Sequence, residues 1–296
     1  MSDRFATGLG AIVVTIALLV PTLGWAQIPK TAEERGEAMR GLDWQRQGGA
    51  FHLDGSSSML KVGPQHLTLL GHDARRFYEL TNGVTPPTSL EATVVDRDTD
   101  ALVMLRSTRE GYVRFDDWAD VDADAMMSEI KEGTTEANKQ RRSVNISPIE
   151  VVGWRQKPTL DRDQHTVSWA IEARDGQETL VNASLLTFGR HGYEKLTWAG
   201  PGDLDPADLL NQVRAGFQFD SGATYADFRD GDKVAEYGVA ALVASAVGAK
   251  VAAKLGLLAA ALLFLKKGWI LVLAVVGGLV SLWRKLRKRR SSATGA

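Results

Sequence analysis

The chain has 296 residues, 35 Lys+Arg against 36 Asp+Glu, and no cysteine, which excludes a disulfide scaffold, a Cys-ligated metal site and thiol catalysis. The near-neutral total hides a segregation of charge. No acidic residue follows Glu236, while Lys250, Lys254, Lys266, Lys267, Arg284, Lys285, Arg287, Lys288, Arg289 and Arg290 give +10, so the remainder carries −11. A nucleic-acid binder carries its basic charge on the folded domain, and this chain does the reverse, so no nucleic-acid partner is expected.

Residues 1–26 read as a secretory leader. Arg4 precedes an apolar core from Leu9 to Val20, Pro21 breaks it, and Gly24-Trp25-Ala26 puts small residues three and one places before Gln27. The apolar core is about half the ~20 residues a membrane span needs, which favours a cleaved leader over an anchor. The body that follows, residues 27–236, is therefore expected outside the cytoplasm.

Along that body the first punctuation is the polar stretch Gly55-Ser56-Ser57-Ser58. A hairpin is predicted from Glu91–Asp96 through a turn at Asp98-Thr99-Asp100 into Ala101–Arg106. A helix is predicted over Ala123–Arg141, with Ala123, Met126, Met127, Ile130 and Ala137 inward and Gly133 as a weak point. Val144–Trp154 holds a short strand expected to stop before Pro158. Thr166–Ala173 then alternates, with Val167, Trp169, Ile171 and Ala173 on one side. Asp175-Gly176 turns it into a long strand over Glu178–Phe188, and Gly189-Arg190-His191-Gly192 turns again into Tyr193–Trp198. Asp205 as N-cap and Pro206 at the first helical position open a helix to Ala215. The expected class is α+β, a mainly antiparallel sheet with flanking helices.

Beyond Glu236 the pattern becomes apolar. An Ala-rich, membrane-proximal helix is expected within residues 237–267, from Val239 to Leu265, and Ala241, Ser245, Ala249 and Ala253 fall four apart as a small-residue stripe suited to close helix packing. Lys250 and Lys254 share another face and suit an interfacial position better than mid-membrane. Residues 268–283 (GWILVLAVVGGLVSLW) carry no charge and are expected to form a C-terminal transmembrane helix. The basic residues of the 284–296 tail place it in the cytoplasm by the positive-inside rule. Together these features predict a single-pass protein of the inner (cytoplasmic) membrane, in contact with its lipid, with its main domain in the periplasm.

Several blocks then resemble a known family. They are Gly111-Tyr112-Val113, Asp116-Asp117, Asp120-Val121-Asp122-Ala123-Asp124, Gly153-Trp154 with Pro158 and Asp161, and Phe188-Gly189-Arg190-His191-Gly192. The most specific are Tyr225-Ala226-Asp227-Phe228, Asp232-Lys233-Val234-Ala235 and Tyr237-Gly238. All resemble the bacterial membrane-anchored proteins grouped as domain of unknown function 2167, well from Gly111 onward and loosely before it. Phe115, Trp118 and Leu160 depart from the usual pattern. The resemblance implies an exported domain on a C-terminal membrane anchor and brings no activity. The helix from Asp205 into Phe217-Gln218-Phe219 is similar to the last helix of PsbP/Mog1-type α/β/α sandwiches.

The densest functional-looking feature is the acidic run Asp116, Asp117, Asp120, Asp122 and Asp124. Its alternation mimics the start of a calcium loop, but Ala125 stands where that loop needs glycine and Lys131 where it needs glutamate. Capping of the following helix accounts for most of this charge. His52, His66, His72, His165 and His191 show no zinc-ligand spacing, and His66 and His72 read as loop polarity. Arg190-His191, set in a tight turn, reads as an exposed pair open to a partner. Ser58…Lys61 and Ser128…Lys131 both fit S-x-x-K without the boxes that accompany a penicillin-recognising site. Nothing points to a cofactor, a resident metal or an assignable catalytic residue. The leading expectation is an interaction or adaptor module with a protein partner in the membrane or envelope. Binding is placed at Asp116, Asp117, Asp120, Arg190 and His191, and helix packing at Ala241, Ser245, Ala249 and Ala253. The alternative is a carboxylate-dependent hydrolase or small-ligand-binding protein in which Asp116 and Asp117 converge with Arg190.

Overall fold

The computed structural model describes residues 31–82, 85–143 and 147–246. The expected leader 1–26, the apolar stretch 268–283, the tail 284–296 and positions Ala249 and Ala253 lie outside the described residues. Among the described residues no helix is long and apolar enough to cross a membrane.

Helix α1, Ala32–Arg40, opens with a reciprocal capping box: Thr31 Oγ1 accepts from Glu34 N–H, and the Glu34 carboxylate accepts from Thr31 N–H. Strands β1 (Gly49–Leu53) and β2 (Ser58–Val62) form a hairpin. The polar stretch 55–58 thus lies inside a hairpin rather than between elements. It holds the turn, with Ser57 at φ +54, and Ser58 is a fully buried strand residue. Strand β3 (His66–Leu70) and helix α2 (Gly71–Asn82) follow. His66 is therefore not loop polarity: it is 3 % exposed, and burial lowers its pKa.

The hairpin of β4 (Leu90–Asp96) and β5 (Leu102–Thr108) is present as the alternation predicts. Its turn is built by Asp96, whose Oδ1 accepts from Asp98 N–H, Thr99 N–H and the Thr99 hydroxyl, with Asp100 at φ +58. Helix α3 (Ala123–Ser143) passes through Gly133 without a break. It buries Met126, Met127 and Ile130, and Asn138 grips both the N–H and the carbonyl of Ile149. Strand β6 (Ile149–Asp161) runs through Pro158 rather than stopping before it. It is the outermost strand of its sheet, where proline's missing N–H removes no ladder bond, and its register shifts between Gln156 and Thr159 absorb the irregularity.

Strands β7 (Thr166–Asp175), β8 (Glu178–Gly189) and β9 (Gly192–Pro201) form the predicted meander. Val167, Trp169, Ile171 and Ala173 are all 4 % exposed or less, as expected of one inward side, while Thr166 and Ala170 of the other face are buried as well. Helix α4 (Pro206–Gly216) starts where expected, with Asp205 accepting from Ala207 N–H, and leads into β10 (Phe217–Phe219). Helix α5 (Val239–Ala246) is the last described element.

The described residues are α+β, with two antiparallel sheets. Seven strands pair in the order β3-β4-β5-β9-β8-β7-β6, and β1-β2-β10 form a smaller sheet. One face of the large sheet packs on the small sheet and α4: Leu196, Trp198, Val103 and Leu105 meet Leu60, Leu209, Val213 and Phe217. On the other face α2 contributes Phe77 and Tyr78 against Leu69, Leu102 and Met104. Lys195 alternates onto the same face as Ala199, and its Nζ donates to the carbonyl of Ala246, which places α5 there too. Helix α5 buries Val239, Ala240, Leu242, Val243 and Ala244, so the first turns of the Ala-rich segment belong to the core of the body.

Candidate functional site

From Phe217 to α5 the chain has little regular structure, yet it is fastened to the sheets by specific side chains. At its start His52 lies between Asp54 and Asp220, at 2.9 Å from each, and both carboxylates raise its pKa. Gly189 then bridges Thr224, and Asp227 accepts from both the N–H and the hydroxyl of Thr224. Arg190 reaches Asp232 through two bonds of 2.7 Å, a fork-to-fork pair with both side chains about one-seventh exposed (15 % and 14 %). Those bonds, with the N–H of Arg229, hold the Asp232 carboxyl down at about 2.

Further along, Tyr112 N–H donates to Lys233 and Ala235 N–H donates back to Tyr112. Gly111 stands at φ +107 with the Lys233 carbonyl where a Cβ would be, which explains the glycine. Finally the Asp117 carboxylate accepts from Ala240 N–H, with both oxygens at 3.3 Å, inside the first turn of α5. A negative charge at that point satisfies an orphan donor and complements the helix dipole. Any side chain at Gly238 would overlap this carboxylate, which gives the Tyr237-Gly238 pair of the family pattern a physical reason.

The fastening encloses a stack of aromatic rings. Tyr225 stacks on Tyr112 at 4.3 Å, on Phe115 at 4.8 Å and 1°, and on His165 at 4.4 Å, and Phe228 lies against Tyr112 at 4.1 Å. Phe115, a departure from the family pattern, is thus part of the stack. Burial, and next the hydrogen-bonding contact with Tyr112, push the Tyr225 phenol far up, so it stays neutral and donates to the Val113 carbonyl at 2.8 Å. His165 holds its place in the β6–β7 turn at φ +49.

Beside the stack opens a cleft of about 210 Å³, lined by Gln164, His165, Phe188, Arg214, Phe219 and Tyr225 among others. It is concave and aromatic-walled, with one cationic group. A second hollow, lined in part by Arg109, His191 and Tyr193, holds about 20 Å³, room for little more than one water.

The residues singled out from the sequence are not gathered into one site. Arg190 is not an exposed half of a pair, because Asp232 occupies its guanidinium; His191 is exposed. Asp117 holds α5, Asp116 and Asp120 are exposed, and Asp122 caps α3 by accepting from Asp124 and Ala125 N–H. Asp124 pairs with Lys157 at 2.8 Å. None of Asp116, Asp117 and Arg190 lines the larger cleft. Of the small-residue stripe, Ser245 is exposed and Ala241 half-buried, on the side of α5 away from Leu242 and Val243. Among the described residues no group of three or more His, Asp or Glu is disposed to hold a metal ion.

Other residues enter only with the structure. Arg214 and His165 gave no motif; Tyr225 and Asp232 were visible as part of the family blocks without a role. Two charged residues of β9 sit in unusual surroundings. Glu194 is fully buried beneath the β1–β2 hairpin, and desolvation with nearby Glu91 drives its pKa well up. Lys195 has its pKa lowered to about 7 by burial, over the ring of Trp169 at 5.4 Å.

Comparison with known proteins adds a family and no activity. No curated protein matches the chain. Among solved structures, cyanobacterial PsbP from Synechocystis sp. PCC 6803 is 11 % identical, covering 59 % of this chain and 94 % of its own, at a TM-score of 0.32. The Ran-binding protein Mog1p of Saccharomyces cerevisiae is 14 % identical, covering 59 % and 96 %, at a TM-score of 0.31. Likenesses this slight carry no argument about fold or function. The family described as "Protein of unknown function (DUF2167)" matches residues 45–277, which is most of the chain and includes every fastening from His52 to Ala240. The chain belongs to that family.

Proposed function

We propose that the protein is a membrane-anchored interaction module whose body, residues 27–236, works outside the cytoplasm. In this reading residues 1–26 direct export, 237–267 lie next to the membrane, 268–283 span it and the 284–296 tail is cytoplasmic. The observation that carries the reading is the docking of α5. A tether that merely spaced a body from a bilayer would need no contact with it. Here Asp117 holds one end of α5, Lys195 bonds the Ala246 carbonyl, and five apolar residues of the helix are buried. The segment leading toward the apolar stretch is thus built into the domain, as a module must be to present a partner surface in a set orientation. Ala241 and Ser245 remain on the outer side of α5, where a helix of a membrane or envelope partner can pack closely.

A second reading, that of a small-ligand-binding protein, is favoured by the aromatic cleft at Arg214. The two are compatible, with α5 serving the partner and the cleft a ligand.

The test is crosslinking in outer-membrane-permeabilised cells with an amine-reactive reagent that cannot cross the inner membrane, then mild extraction and mass spectrometry. A stoichiometric partner crosslinked to the body, and lost in an Ala241→Leu/Ser245→Leu variant, is the expected result. If the chain is crosslinked only after lysis, or emerges alone from both preparations, the module reading fails.

A further inference from the structure

Two partly buried arginines, Arg190 and Arg214, differ in their circumstances. Arg190 has its counter-charge, Asp232, at 2.7 Å. Arg214, in the last turn of α4, has none: among the described residues no carboxylate stands within ion-pair distance of it. Its one bond is from Nη1 to the Phe217 carbonyl at 3.5 Å, the outer limit for such a contact. A guanidinium has five N–H donors in a rigid fork. A cation at a helix C-terminus complements the dipole, which accounts for its position but leaves most of these donors unused. Burial lowers its pKa with no partner offsetting the effect, whereas Asp232 raises that of Arg190. A half-buried guanidinium on the wall of a cleft, with no carboxylate beside it among the described residues, is placed to meet an anion.

The rest of the cleft narrows the anion's identity. Its aromatic lining that is not fully buried is Phe219 and Tyr225, with His165 beside them, so the ligand carries a flat apolar body. The volume of about 210 Å³ lies below the roughly 300–1,000 Å³ of sites for drug-sized molecules, which excludes a nucleotide-type cofactor and leaves room for one aryl group. One cation on a domain of net negative charge matches a single negative charge better than a phosphate dianion, and a guanidinium fork fits a carboxylate in bidentate fashion. We propose that the cleft binds a carboxylate attached next to an aryl group, the carboxylate on Arg214 and the ring between Phe219 and Tyr225. This names the ligand chemistry of the second reading above and rests on taking the cleft as a binding site. Such a group occurs in a free arylacetic acid and at the C-terminus of a protein ending in an aromatic residue.

The experiment uses the full-length chain in nanodiscs, with empty nanodiscs as the blank. Fluorine NMR follows para-fluorophenylacetate and its uncharged amide. In parallel, calorimetry follows a pentapeptide ending in phenylalanine, with its C-terminus free or amidated. The acid and the free-ended peptide bind, and their amides bind at least about tenfold more weakly, because a charge-assisted pair is lost. Arg214→Met abolishes the preference for the acid. Gln218→Glu, at an exposed position of β10 on the cleft, weakens acid binding by repulsion and covers the case in which Arg214→Met does not fold. The tighter of acid and peptide identifies the source. Equal binding of acid and amide, acid binding unchanged by both variants, or no binding of any probe overturns the proposal. Because no partner protein is present, this outcome is independent of the crosslinking result.

Discussion

The β7–β9 meander and the segment from Phe217 to Ala246 are held in place in different ways. In the meander most residues are buried, on both faces of the sheet, and each strand shares a long ladder with its neighbour, so stability is spread over many equivalent contacts. The later segment, up to α5, has little ladder and relies on a few residues from elsewhere: the side chains of His52, Arg190 and Asp117 and the backbone of Tyr112. Damage to the first region should reach the whole domain. Damage to the second should release a limited stretch and leave the sheets standing.

The largest effect is expected from Trp198→Ala, in β9 at the centre of the packing between the sheets, where the residue is fully buried. Removing that side chain should cost about 3–5 kcal/mol in urea unfolding. A loss below about 1 kcal/mol would mean the two sheets are not closely packed there.

Arg190→Ala should act locally instead. Amide exchange across residues 217–246 should quicken while β7 and β8 amides keep their protection. The pH dependence sharpens the contrast. The Asp232 carboxyl is depressed on folding, so the stability it adds is present above its unfolded value and is lost as pH falls through about 2. The parent should therefore loosen in this segment as acid is added below roughly pH 4, a response that Arg190→Ala should lack. Equal acid sensitivity in both proteins would remove Asp232 as the fastening.

Asp117→Ala should be the mildest of the three, with a loss of about 1 kcal/mol confined to α5 as an N-terminal donor is left to water. Exchange at Ala240 and its neighbours reads it directly. Unchanged protection there would show that α5 is held by its apolar face alone.

The meander, the β4–β5 hairpin and α3 were legible because each pattern is local and repeated: alternation for the strands, a 3.6-residue apolar stripe for the helix. Capping at Asp205 was legible for the same reason, since cap and helix adjoin. The first third was read poorly. The Thr31-to-Glu34 spacing of a capping box was there to be seen, but β1, β2 and β3 are short and interrupted by polar turns. Ser58, a strand residue beneath a hairpin, looks in isolation like part of a linker. Pro158 misled for a physical reason, because proline ends a central strand and not an outermost one, and which strand is outermost is decided by pairing. The site was least legible. Asp117 looked like one aspartate among five, yet its partner is a backbone N–H 123 residues away.

The amino-acid sequence by itself determined what depends on neighbours along the chain: the charge segregation, the apolar stretch after Gly268, the periodic strands and helices, and the blocks that mark the family. Only the tertiary structure decided which charges are paired. Arg190 and Arg214 are alike as residues in a list, but one meets Asp232 and the other no carboxylate among the described residues. Ion pairing and desolvation act over a few ångströms of space regardless of separation along the chain, so the fold alone could show which cation is left to face a cleft.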